Sequence, residues 1–240
     1  MTDMTCGTIV LLPGMMCDER LFACQAEGLK QEAQRSFEVI ILRLDNAESI
    51  QGLASKILAE TPPSFALCGL SMGGIVAMEI VAQAPHRIDR LALLDTNPLA
   101  ETSEGVMRRN RQIADVKKGR LKQVMAEEMK PHYLADGPNK QAHLDLCMDM
   151  ALTLGEEVFV AQSLALRDRM AQTQTLRAVR CPTLILYGKE DRLCPPERHY
   201  LMQDLIPHAR LVEVDKAGHL PPIEMPDDVT AHLCQWLNLR

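Results

Sequence analysis

Several features that would place a chain in a class at once are missing here. The 240 residues contain no run of about 18 apolar residues, so no membrane-spanning helix is expected. The opening MTDMTCGTIVLL lacks a basic segment, a long apolar stretch and a small-residue cleavage site, so it does not read as a secretory signal. Positive charge is in deficit. The formal net charge of −6 argues against nucleic acid as a partner. The eight cysteines, at positions 6, 17, 24, 68, 147, 181, 194 and 234, form no CxxC pair, and the histidines form no His-x3-His cluster, so no metal is expected. Several of those cysteines sit in apolar runs, where Cys packs as a small hydrophobe. Free thiols without a signal fit a reducing, cytoplasmic setting. There is no internal repeat and no low-complexity tract.

What the chain does have is apolar mass, 47% of its residues, enough for one large domain or a domain carrying an insertion. Runs rich in Val, Ile and Leu recur at 8–14, 37–45, 65–71, 90–97, 182–191 and 209–219. Most are continuous rather than alternating in polarity, as in parallel strands buried on both faces. Helical spacing separates most of them; after the third run, Ile75, Met78 and Ala82 fall on one helix face. Strand and helix in alternation predict a parallel sheet with helices on both sides. From about Ser103 to Thr175 no strand is read. Helices there are broken at Gly119, at 131–139 and at Gly155. The core is therefore expected at 1–102 and 176–240, with an all-helical cap at 103–175. Methionines crowd this insert, either as core filling or as an adaptable apolar pocket wall.

Gly69-Leu70-Ser71-Met72-Gly73 is a G-x-S-x-G pattern at a strand–helix junction. A turn this sharp holds its central residue in a strained conformation, and the flanking glycines remove side chains that would obstruct it. Ser71 then stands at a helix N-terminus, where free amides favour a developing oxyanion. A serine hydroxyl needs a base, and the base needs an orienting carboxylate. Of seven histidines, His219 alone follows the last strand directly, where parallel sheets place their chemistry. Two carboxylates qualify, Asp191 and Asp95, each following a strand. Asp191 is favoured because it lies 28 residues before His219, between Gly188 and Pro195-Pro196. The oxyanion is expected to face two backbone amides, those of Met72 and Met15.

With PGM (13–15), GLSMG (69–73), GKEDRLCPP (188–196) and AGHLPP (217–222) in that order, the chain resembles the α/β-hydrolase fold family. The resemblance implies a mainly parallel sheet of about six strands flanked by helices, with a helical cap. It implies a cofactor-free serine hydrolase using Ser71, Asp191 and His219 on a small or medium carboxylic ester. Pro13-Gly14 departs from the His-Gly more usual at the oxyanion loop. Relatives use such a triad on thioesters, lactones, carbon–carbon bonds or acyl transfer, and some are small-ligand receptors. The stretch 108–122 carries seven positive residues and one negative. It is either a solvated helix face or an attractor for an anionic substrate or an acidic carrier protein. Oligomeric state is not legible.

Overall fold

The computed structural model describes residues 7–32, 37–45 and 47–239. The expectations placed on residues 1–6, the lack of a signal and the thiol of Cys6, lie outside these.

The elements run β1 (Gly7–Leu12), α1 (Ala23–Glu32), β2 (Phe37–Ile41), α2 (Ile50–Glu60), β3 (Phe65–Leu70), α3 (Met72–Gln83) and β4 (Ile88–Leu94). Then come α4 (Ser103–Val116), α5 (Leu121–Val124), α6 (Lys140–Arg167) and α7 (Thr173–Ala178). The chain closes with β5 (Thr183–Gly188), α8 (Pro196–Leu205), β6 (Arg210–Val214), α9 (Pro221–Glu224) and α10 (Pro226–Leu237). All six strands pair in parallel, in the order β2-β1-β3-β4-β5-β6.

Each apolar run of the sequence has become a strand, and burial explains their composition. β3 and β5 are buried at every position, whereas the edge strands β2 and β6 are only partly covered. The rightward crossovers through α2, α3 and α8 lie on one face by the right-handed rule, and the leftward one through α1 lies on the other, where α10 packs on it. α3 differs from its expected single apolar face. It is buried on all sides from Met72 to Val81, while Ala82 is exposed. The cause is its position between the sheet, α2 and α7.

Helices α4 to α7 fill the stretch between β4 and β5. Gly119 and Gly155 adopt φ of 80° and 84°, a region costly for side chains, and Gly155 kinks α6. The order of strands reverses between β1 and β3, so the crevice beyond their C-terminal ends is where a ligand site is expected. Register brings the loops there together, since Leu12 pairs with Gly69, Leu70 with Leu94, Leu94 with Leu186 and Gly188 with Val214.

Beneath these loops, His199 of α8 is fully buried and stacks on Tyr187 of β5, with ring centroids 4.6 Å apart. Burial pushes its imidazole pKa down to about 4. The unfolded chain, with an ordinary value of about 6.5, therefore binds the extra proton first as pH falls. Stability is lost from about pH 6.5 downward, by about 2 kcal/mol at pH 5 from this group. His199→Phe keeps a stacked ring and should flatten that loss. Urea unfolding of both proteins at pH 7 and pH 5 checks it.

Candidate active site

Ser71 joins β3 to α3 with φ 53° and ψ −114°, a conformation that side chains rarely hold unless their surroundings enforce it. Here they do. The Ser71 N–H donates to Leu94 O at 2.9 Å, and the Thr96 hydroxyl donates to Ser71 O at 2.7 Å. A Cβ on Gly69 would sit 2.2 Å from Gly73 O, and one on Gly73 would sit 2.1 Å from Leu12 O. Both glycines are thus required by the approach of strand, helix and the loop after β1.

The structure brings Ser71, His219 and Asp191 together. His219 Nδ1 lies 2.8 Å from Asp191 Oδ2, and Nε2 lies 2.8 Å from Ser71 Oγ. A carboxylate can only accept, so the ring proton belongs on Nδ1, and Nε2 is left to accept from the serine hydroxyl. Asp191 Oδ1 accepts from the Leu193 and Cys194 amides, at 2.7 and 3.1 Å. Burial alone would push this carboxyl up. The facing His219 and those amides outweigh it and hold Asp191 below the usual carboxylate range.

Asp95 does not reach His219. It is fully buried and accepts from the Gly188 amide at 2.8 Å. Burial, and then the neighbouring Asp191 charge, push its carboxyl well above the ordinary range.

Two supports were not legible in the sequence. Glu224, at the end of α9, accepts from the amides on both sides of His219, Gly218 and Leu220, each at 3.0 Å. It also accepts from the Ala135 amide at 2.8 Å, while Tyr133 O accepts from His219 N at 2.7 Å. One carboxylate therefore ties the His219 loop to the insert. Gln162 of α6 accepts from Met16 N at 2.9 Å and donates to Leu44 O at 2.8 Å, which pins the loop after β1. In that loop Met15, and Met72 at the start of α3, have backbone amides that find no acceptor among the described residues. Both residues border the cavity above Ser71.

That cavity has a volume of 430 Å³. The insert's side of it is charged rather than rich in methionine. Of the insert's methionines, only Met129 lines it; Met125 and Met150 are in the core, and Met107 and Met170 are each 66% exposed. Arg108, Arg109 and Arg169 line it instead, with Glu101 and Glu128. Cys194 also borders it. Its thiol, with Asp191 and His219, offers three ligand atoms within 4.8 Å of one another. Burial pushes that thiol up, and the Asp191 charge adds to it, so it is held protonated and suits a metal poorly. No helix among the described residues is long and apolar enough to cross a membrane.

The family model described as alpha/beta hydrolase family matches residues 9–232. A biotin biosynthesis bifunctional protein of Teredinibacter turnerae is 24% identical over 96% of this chain, which spans only 44% of that relative's length. A pimeloyl-(acyl-carrier protein) methyl ester esterase of Klebsiella pneumoniae is 27% identical, over 75% of this chain and 72% of its own. A thermophilic esterase from Thermogutta terrifontis, solved with malate bound, has a TM-score of 0.86 at 29% identity, over 97% of this chain and 89% of that one. An enol-lactonase from Burkholderia xenovorans has a TM-score of 0.84 at 20% identity, over 97% and 91%, a likeness of fold.

Proposed function

The chain belongs to the alpha/beta hydrolase family, and from that premise we propose that it hydrolyses a small or medium carboxylic ester through an acyl-enzyme on Ser71. The observation that carries this reading is the unbroken line from Asp191 through His219 to Ser71, with 2.8 Å at both contacts, at the floor of a cavity. Relatives named as esterases support an ester over the other bonds such a site can cleave.

In this reading Ser71 Oγ attacks the ester carbonyl as its proton passes to His219 Nε2. The carbonyl electron pair moves to oxygen, which lies between the Met15 and Met72 amides. Preorganised donors of this kind are worth about 3–4 kcal/mol each. The intermediate collapses, the C–O bond breaks, and the leaving alkoxide takes the proton from His219. Water repeats the sequence on the acyl-enzyme. Asp191 stays ionised throughout and stabilises the imidazolium. Residues 103–175 act as the cap that shapes the acyl site. A panel of esters, thioesters and amides of graded chain length tests the assignment; turnover confined to thioesters or amides would overturn it.

Glu224 holds the peptides on either side of His219 and so keeps the imidazole aimed at Ser71. In Glu224→Gln one acceptor oxygen becomes an NH2 group that opposes the same amides. We expect kcat on an uncharged ester to fall about 10–100-fold, with KM little changed because the cavity wall is untouched. Steady-state kinetics, beside a melting curve, reads this out.

The exposed Lys117, Lys118 and Lys122 favour a second reading, in which an acidic carrier delivers the acyl group. The methyl ester esterase relatives are named for a carrier-linked substrate.

A further inference from the structure

The charged wall of the cavity is unbalanced in a specific way. Glu101 Oε2 accepts from Arg109 Nε at 2.7 Å and from Arg169 Nη1 at 2.9 Å, and the three side chains are only 8%, 15% and 6% exposed respectively. Two guanidinium groups thus share one carboxylate away from water. An uncompensated buried charge is costly, so the wall asks for an anion.

The two arginines are not equivalent. Arg169 is engaged at every nitrogen: Nε donates to Leu99 O at 3.0 Å, Nη1 donates also to Leu166 O at 2.9 Å, and Nη2 reaches Glu101 Oε1 at 3.5 Å. Arg109 is not. Beyond Glu101 its one contact among the described residues is a weak one, from Nη1 to Met15 Sδ at 3.8 Å. Its Nη2 makes no hydrogen bond among the described residues, and Arg109 lines the cavity. Burial holds its guanidinium below the usual value, and Arg169 and Arg108 repel it further. The other acidic side chain of the wall, Glu128, is already taken by Arg111 at 2.8 Å and Gln112 at 3.2 Å. It is not there to neutralise Arg109.

We propose that the free edge of Arg109 is a carboxylate subsite, so that the preferred esters carry a second, ionised carboxylate a short methylene spacer from the scissile carbonyl. The spacer follows from the contact with Met15. The guanidinium lies one methionine side chain away from the residue whose amide faces the oxyanion position. A planar guanidinium with free Nη donors matches a carboxylate in two parallel hydrogen bonds. Such a group selects half-esters of short dicarboxylic acids over uncharged esters of the same length. It also gives Arg109 a part distinct from the exposed positive residues of 108–122.

The proposal rests on the ester-hydrolase reading, and the test separates the two. Hydrolysis of p-nitrophenyl acetate, which has no carboxylate, tests the reading alone. Monomethyl succinate and monomethyl glutarate are then compared with methyl butyrate and methyl valerate. We expect kcat/KM for the half-esters to exceed that for the uncharged esters, and Arg109→Gln to reduce the ratio about 10–100-fold. Arg109→Lys should restore part of it. Arg109 acting only as a strut for Glu101 would lower both rates together, leave the ratio unchanged and overturn the subsite. Because Arg109→Gln also loosens a buried pair, the unaltered protein is titrated with glutarate by calorimetry. Binding that persists for glutaric acid monoamide but disappears for glutaramide, which has no carboxylate, supports the subsite even if no ester is turned over. Turnover of p-nitrophenyl acetate with no preference for half-esters and no glutarate binding would overturn it and leave the hydrolase reading standing. A stronger response to phosphopantetheine than to glutarate would overturn the carboxylate assignment in favour of a carrier's phosphate.

Discussion

Ser71→Ala is expected to lower kcat for p-nitrophenyl acetate by about 10⁶-fold, the loss seen when a serine hydrolase is deprived of its nucleophile. No neighbouring group can take over. Thr96, the hydroxyl nearest in the turn, donates its proton to Ser71 O and is not aimed at His219. The two cysteines on the cavity wall, Cys17 and Cys194, have thiols pushed up by burial, so neither supplies a thiolate at neutral pH. The fold should survive. The strain at φ 53° is imposed by the strand, the helix and the glycines around the turn, not by the hydroxyl. An unchanged melting curve beside the lost rate would separate chemistry from unfolding.

Asp191→Asn should lower kcat by about 10⁴-fold, whereas Asp95→Asn should change it less than tenfold. In the first variant the acceptor facing Nδ1 becomes an amide that can present NH2. The ring then turns its proton toward Ser71, the wrong tautomer for a base. In the second, the asparagine keeps the shape of the side chain, and its oxygen can still accept from the Gly188 amide. Asp95 sits above the ordinary carboxylate range, so the fold favours its protonated form. Ionising it at higher pH destabilises the fold, and Asp95→Asn should be at least as stable as the parent at pH 8. Kinetics of the two variants side by side, with urea unfolding at pH 8, decide the matter. A crippled Asp95→Asn would move the acid to β4.

The strands could be read because burial on both faces leaves a mark in the chain itself. In FALCGL every position is enclosed, and every residue is apolar or tiny. The elbow could be read because close approach demands glycine at fixed offsets from Ser71. The choice of acid was less plain, since Asp95 and Asp191 both follow strands and only the hydrogen bond to His219 separates them. Glu224 was not legible at all. Its partners are backbone amides at 135, 218 and 220, and a peptide N–H has no signature in sequence. The choice between the two readings of the insert's methionines, core filling or pocket wall, was not legible for a related reason. Composition shows that the insert is rich in methionine, but not which way each one points. Arg109 could not be told apart from its solvated neighbours in 108–122 because its partner Glu101, and the Arg169 that shares it, come from elsewhere in the chain.

The central claim is that an acyl group becomes attached to Ser71. Incubation with a fluorophosphonate ester, followed by trypsin and mass spectrometry, tests it most directly. The account predicts one phosphonyl adduct per chain, on Ser71 within the peptide 57–87, with ester hydrolysis lost in step and no adduct in Ser71→Ala. Hydrolysis that persists in the fully treated protein, or an adduct on any other residue that accounts for the inhibition, would contradict it.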